Sequence, residues 1–156
     1  MNRFLQEHGE VFQMTQVLRD KMLDLLNDND LSHHPGGDNL TLGALCREMG
    51  EVQYSYIESF KTLKQDWSYR TDNTGVANSV SQLRVWFAQL DAELKTVMEG
   101  LSDEDLGRII DRGFPVPVGT QLHIYREALL IFYGKAAIYL KALKKPLPEQ
   151  WVHWIG

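Results

Sequence analysis

Apolar residues recur along this chain at three- and four-residue steps in four long segments, and the intervals between them are rich in Gly, Pro, Asn and Asp. That spacing predicts amphipathic helices. The most informative segment is residues 120–143, TQLHIYREALLIFYGKAAIYLKAL. On a helical wheel of about 100° per residue, Leu122, Tyr125, Leu129, Phe132, Ala136, Tyr139, Leu140 and Leu143 share one arc of about 100°. Leu130, Ile131, Ala137 and Ile138 populate the far side. A helix with a second apolar set is either central or covered by something further, such as another subunit. Thr120 is the expected N-cap, and Pro146 and Pro148 stop the helix.

The first helix is expected over about residues 2–27, with Phe4, His8, Val11, Phe12, Thr15, Leu18, Met22 and Leu26 on one face. Residues 27–39, NDNDLSHHPGGDN, read as a loop. Thr41 caps a second helix, residues 42–65, whose stripe is Leu42, Leu45, Met49, Val52, Tyr56, Phe60 and Leu63, with Glu48 at its edge. A long connection follows to residue 79, and a link of that length permits a crossover to the opposite end of a bundle. The third helix, about residues 79–100, carries Val80, Leu83, Phe87, Leu90, Leu94, Val97, Met98 and Leu101 within one arc, with Trp86 flanking it. Ser102 and Asp105 then form a capping signature that predicts a short extra helix between helices 3 and 4. No stretch reads as a strand. The expected fold is therefore all-α, a single four-helix-bundle domain over residues 1–156.

Composition narrows the function classes. The chain has 156 residues, a size suited to one substantial core. A net charge of -5 argues against a nucleic-acid surface. No apolar run approaches the roughly 20 residues that span a bilayer, so no membrane role is expected. Residues 1–10 lack a secretory profile, and the single Cys46 suits a cytoplasmic setting.

Candidate chemistry is sparse. His8 falls inside an apolar stripe and reads as a core or semi-buried histidine. His33 and His34 are adjacent in a loop, and neighbouring histidines seldom converge on one ion. His123 and Glu127 share a helix face, but that face lies about 140° from Ala128. Cys46 reads as an inert, partly buried thiol. Phosphate loops, nucleophile elbows and His-Glu-x-x-His zinc motifs are missing from the sequence.

The opening of the second helix, TLGALCREMGE, the third-helix stripe followed by LSDEDL, and GKAAIYLKAL followed by PLPEQW together resemble the DinB/YfiT-like family. The resemblance implies an up-down-down-up bundle, frequent dimerisation, and a divalent metal such as zinc or nickel in a hydrolase or thiol transferase. Family members typically hold that metal with one histidine early in the second helix and two, spaced i, i+4, just before a glycine in the last. The matching positions here are Glu48, Ala128 and Phe132, with Gly134 as the glycine. None of the three is a histidine, and a methyl group and a phenyl ring cannot bind a metal.

Two functions remain open at this level. One is a metal-free, DinB-like binding or interaction module that forms a homodimer and takes a small-molecule ligand at the Glu48, Ala128, Phe132 position. The other is an enzyme using the inherited pocket, with Glu48 as general acid or base and with or without a metal displaced to His8, Glu48 or His123. No cofactor is expected, and no catalytic residue beyond the candidate Glu48 is assigned.

Overall fold

The computed structural model describes residues 1–155, and four long helices carry the fold. They are α1 (Arg3–Leu23), α2 (Leu42–Thr62), α3 (Val80–Gly100) and α4 (Val118–Ala142), and a short α5 (Glu149–Ile155) follows. Side-chain caps start the first three: Asn2 accepts from the Leu5 N–H, Thr41 from Ala44 and Ser79 from Gln82. The core draws on all four, with Phe12, Met22, Leu45, Met49, Phe60, Leu83, Phe87, Leu94, Leu122, Leu129 and Phe132 among its buried side chains.

Side-chain partners give the helix directions. Phe4 and His8 meet His123, Phe12 meets Tyr125, and Thr15 meets Tyr133, so α1 and α4 run parallel. Asn2 bonds the Met98 carbonyl while Arg84 pairs with Asp24, so α3 runs against α1. Tyr56 packs on Tyr125 and Ser59 bonds Gln121, so α2 also runs against α4. The bundle is up-down-down-up.

Parallel α2 and α3 force the connection between them to return the full length of the bundle, about 30 Å for a 21-residue helix. It does so as a strap lying along α2. Trp67 packs against Tyr56, Tyr69 stacks on Tyr54 at 3.8 Å, and the Thr71 N–H donates to Glu51. Further along, a Cβ on Gly43 would sit 1.8 Å from the Ala77 carbonyl oxygen. Only glycine lets the strap approach this closely.

Several expectations change. α1 ends at Leu23, and a capping box at Asn27 starts a 3-10 turn, Asp28–Ser32, because Asn and Asp side chains compete for the backbone there. α4 starts at Val118, so Pro117 and not Thr120 stands at its N-cap. The Ser102–Asp105 capping exchange forms, and the short extra helix between α3 and α4 is a single 3-10 turn, Asp105–Gly107. The chain then makes a strand pair not foreseen from the sequence: β1 (Ile109–Asp111) lies antiparallel to β2 (Pro115–Pro117), with Gly113 at φ 88° in the turn. Asp111 also bonds Leu63 and Gln65, which ties this hairpin to the exit of α2. Three-residue strands carry too little alternation to register as a pattern.

The second apolar set of α4 divides in two. Leu130 and Ala137 lie on the stripe of Tyr133, where Trp151 of α5 packs at 4.8 Å from the Tyr133 ring, and both are covered to a large extent. Ile131 and Ile138 stay 62% and 63% exposed. The tail thus covers one half of the second face and leaves the other in solvent.

Candidate functional site

Two polar assemblies interrupt the core. The first is central and takes one residue from each of three helices: Arg19 on α1, Gln53 on α2 and Asp91 on α3. Arg19 Nη1 donates to Gln53 Oε1 at 2.7 Å, and Nη2 donates to Asp91 Oδ2 at 2.6 Å. Asp91 Oδ1 accepts from Gln53 at 2.8 Å and Gln16 at 2.9 Å. The guanidinium also stacks on Phe87, 3.9 Å from the ring centre. From α4, Tyr133 donates to the Thr15 carbonyl and Arg126 Nε donates to Thr15 Oγ1. Burial works most strongly against the charge on Arg19, but Asp91, Tyr125 and Tyr133 together outweigh it and the guanidinium is held above its usual value. The Tyr125 phenol is pushed well up, by burial first, with the Arg19 charge acting in the opposite direction. Arg19 Nε and the Tyr125 hydroxyl have no hydrogen-bond partner among the described residues.

The sequence contained a signal for this assembly that periodicity alone passes over. Arg19 lies four residues after Thr15 and three before Met22, Gln53 lies between Met49 and Tyr56, and Asp91 lies four after Phe87. Each is a polar residue at helical spacing on an apolar face, and such groups are rarely buried without partners.

The second assembly is a cavity of about 320 Å³ between α2 and the strap. Along α2 it is lined by Ala44, Arg47, Glu48, Glu51, Val52 and Ser55, and the strap contributes Trp67 and Arg70. Glu51 is buried. Its carboxylate accepts from the Thr71 N–H at 3.2 Å and lies 3.6 Å from Arg47 Nε and 3.8 Å from Arg70 Nε. Glu48, at the edge of the α2 stripe, is exposed at the cavity wall.

The three positions matched to the family's histidines lie in different surroundings. Phe132 is buried beside Tyr133, Ala128 is half-buried against the core, and neither contributes to the walls of the cavity at Glu48. Gly134 has open space where a Cβ would lie. His8 is half-exposed at the α1–α4 seam, where its ring lies 4.7 Å from that of His123. Partial burial first, then the charges of His8 and Arg126, lower the His123 pKa. His33 rests against Tyr139, while the exposed His34 accepts from the Gly36 N–H. Among the described residues, no three His, Cys, Asp or Glu side chains are grouped to hold a metal ion. Cys46 is fully buried, and that burial pushes its thiol up to about 12.

No family model matches the chain, and no curated protein sequence does. Solved structures do match. A DinB-like protein of Bacillus subtilis, YjoA, superposes with a TM-score of 0.72 at 16% identity, covering 88% of this chain and 92% of its own. A DinB-like protein of Bacillus cereus gives 0.69 at 21% identity, covering 93% of each chain. The fold is that of the DinB-like helical bundles. No helix of the described residues is long and apolar enough to cross a membrane.

Proposed function

We propose that this chain is a metal-free, DinB-like binding module whose small-molecule site is the cavity between α2 and the strap. The observation that carries the reading is the identity of the residues at the family's metal positions. A core phenyl ring at Phe132 and a methyl group at Ala128 offer no ligand atom, while Glu48 opens onto a cavity walled by two arginines, a buried carboxylate and an indole. Arg47 and Arg70 present guanidinium forks suited to a carboxylate or phosphate, and Glu48 can take an amine. The ligand class that matches is a small polar molecule bearing both charges. Elemental analysis of protein purified without chelator or histidine tag tests the metal-free reading. One zinc, nickel or iron per chain, lost in Glu48→Gln, overturns it in favour of metal-assisted hydrolysis or thiol transfer.

The module acts as a homodimer in the same proposal. What supports this is Ile131 and Ile138, two turns apart on one stripe of α4 and both exposed. Two-fold pairing is the commonest way to cover such a stripe.

A further inference from the structure

The charged side chains on the walls of the cavity between α2 and the strap are Arg47, Glu48, Glu51 and Arg70. Glu51 is shared, so two guanidiniums face one buried carboxylate. Arg70 is occupied further by the strap itself, where its Nη1 donates to the Trp67 and Tyr69 carbonyls at 2.8 and 2.6 Å. Arg47 Nε has no hydrogen-bond partner among the described residues, because 3.6 Å to Glu51 is too long for one. Glu48 makes no ion pair among the described residues. The cavity therefore offers one free group of each sign. Charge is only part of its chemistry. Leu40 and Trp67, 42% and 45% exposed, also stand on its walls. The Trp67 indole is held in place while it stays open: Tyr56 meets it edge-on at 5.5 Å, and the Arg112 guanidinium lies 5.5 Å from its ring centre.

We propose that the ligand of this cavity is an aromatic amino acid or a zwitterion of that kind, with its carboxylate on Arg47, its amine at Glu48 and its ring against Trp67. This rests on the cavity reading above and adds the ring to it. Arg47 selects the carboxylate, because a guanidinium with an unsatisfied donor gains most from a planar, charged acceptor. Glu48 selects the amine and turns away a ligand that carries only negative charge. The indole selects the ring: a fixed, half-open aromatic face gives a planar group contact area without first having to be ordered. Spacing supports the combination. Arg47 meets Glu51 five positions before Tyr56, where Trp67 packs, so roughly 8 Å of helix separates fork from indole. An amino acid with an aryl side chain spans that distance, whereas alanine reaches the fork and leaves the indole in water. A volume of about 320 Å³ admits one such molecule.

Calorimetric titration with L-phenylalanine, L-alanine and phenethylamine tests the assignment. Phenylalanine binds at least about tenfold more tightly than alanine, since its ring buries apolar area that a methyl group cannot. It also binds at least about tenfold more tightly than phenethylamine, which has no carboxylate for Arg47. Trp67→Ala, with helicity checked by circular dichroism, removes most of the preference over alanine, and Trp67→Phe, which keeps a ring to hold the strap, retains it. Arg47→Gln removes most of the preference over phenethylamine. Equal affinity for phenylalanine and alanine, or a Trp67→Ala variant that binds phenylalanine as the parent does, overturns the ring site and leaves the cavity as a site for small charged molecules. Failure of all three compounds to bind the parent protein overturns the cavity reading together with this one.

Discussion

Arg19 and Asp91 join α1 to α3 through a 2.6 Å contact in which the guanidinium side chain is 0% exposed and the carboxylate 26%. A fully desolvated cation is tolerated because Asp91, Gln53 and the Phe87 face surround it. The same carboxylate lines a surface groove between α1 and α3, so this pair links the interior of the bundle to its surface.

Removing one partner of the pair leaves an uncompensated polar group inside. Arg19→Met is expected to lower stability by about 3–5 kcal/mol in urea denaturation. Combining it with Gln53→Leu and Asp91→Leu should recover much of that loss, since an apolar replacement of the whole set carries no orphaned group. A triple variant less stable than Arg19→Met would show that the network holds the helices in register.

Phe132 is 3% exposed and belongs to the central core. Phe132→Ala should cost about 3–5 kcal/mol, as aromatic truncations in packed interiors do. A loss below about 1 kcal/mol in reversible denaturation would mean that the ring borders space that a ligand can fill.

Ile131→Glu and Ile138→Glu place charges on the exposed stripe of α4 and leave the bundle core untouched. In sedimentation at micromolar concentration, the parent chain should run as a dimer and the double variant near 18.0 kDa. A dimer undisturbed by these charges would move the interface to another face, and a monomeric parent would remove it.

Alkaline pH should destabilise the protein through groups that burial keeps neutral. Cys46 is pushed from 9.0 up to about 12, and the Tyr125 and Tyr133 phenols are also raised by burial. Above about pH 9 the unfolded chain releases the Cys46 proton while the folded chain retains it, so stability falls as pH rises towards 12. Denaturation midpoints should decline over that window, and Cys46→Ala should flatten its lower part. Iodoacetamide should leave native Cys46 unlabelled at pH 8 while labelling the denatured chain. Rapid native labelling would contradict a buried thiol.

Much of this fold was legible in the sequence because a helix long enough to repeat its spacing reports its own buried face. The stripes over Leu83 to Met98 and Leu122 to Leu140 predicted α3 and α4, and the 16 residues from Lys64 to Ser79 made a crossover feasible. The absence of histidine at Glu48, Ala128 and Phe132 could also be read directly. Tertiary structure decided the rest, for reasons of distance and competition. The strand pair of Ile109 to Asp111 and Pro115 to Pro117 is anchored by a bridge from Asp111 to Lys64 at the exit of α2, more than forty positions away. The halves of the second apolar face of α4 are alike in composition, but only one lies within reach of Trp151. Arg19, Gln53 and Asp91 each stand on an apolar face at helical spacing, but nothing in a single helix reveals that the three will meet. Periodicity reports which face is buried, whereas the pairing of buried polar groups depends on which helices the fold brings together.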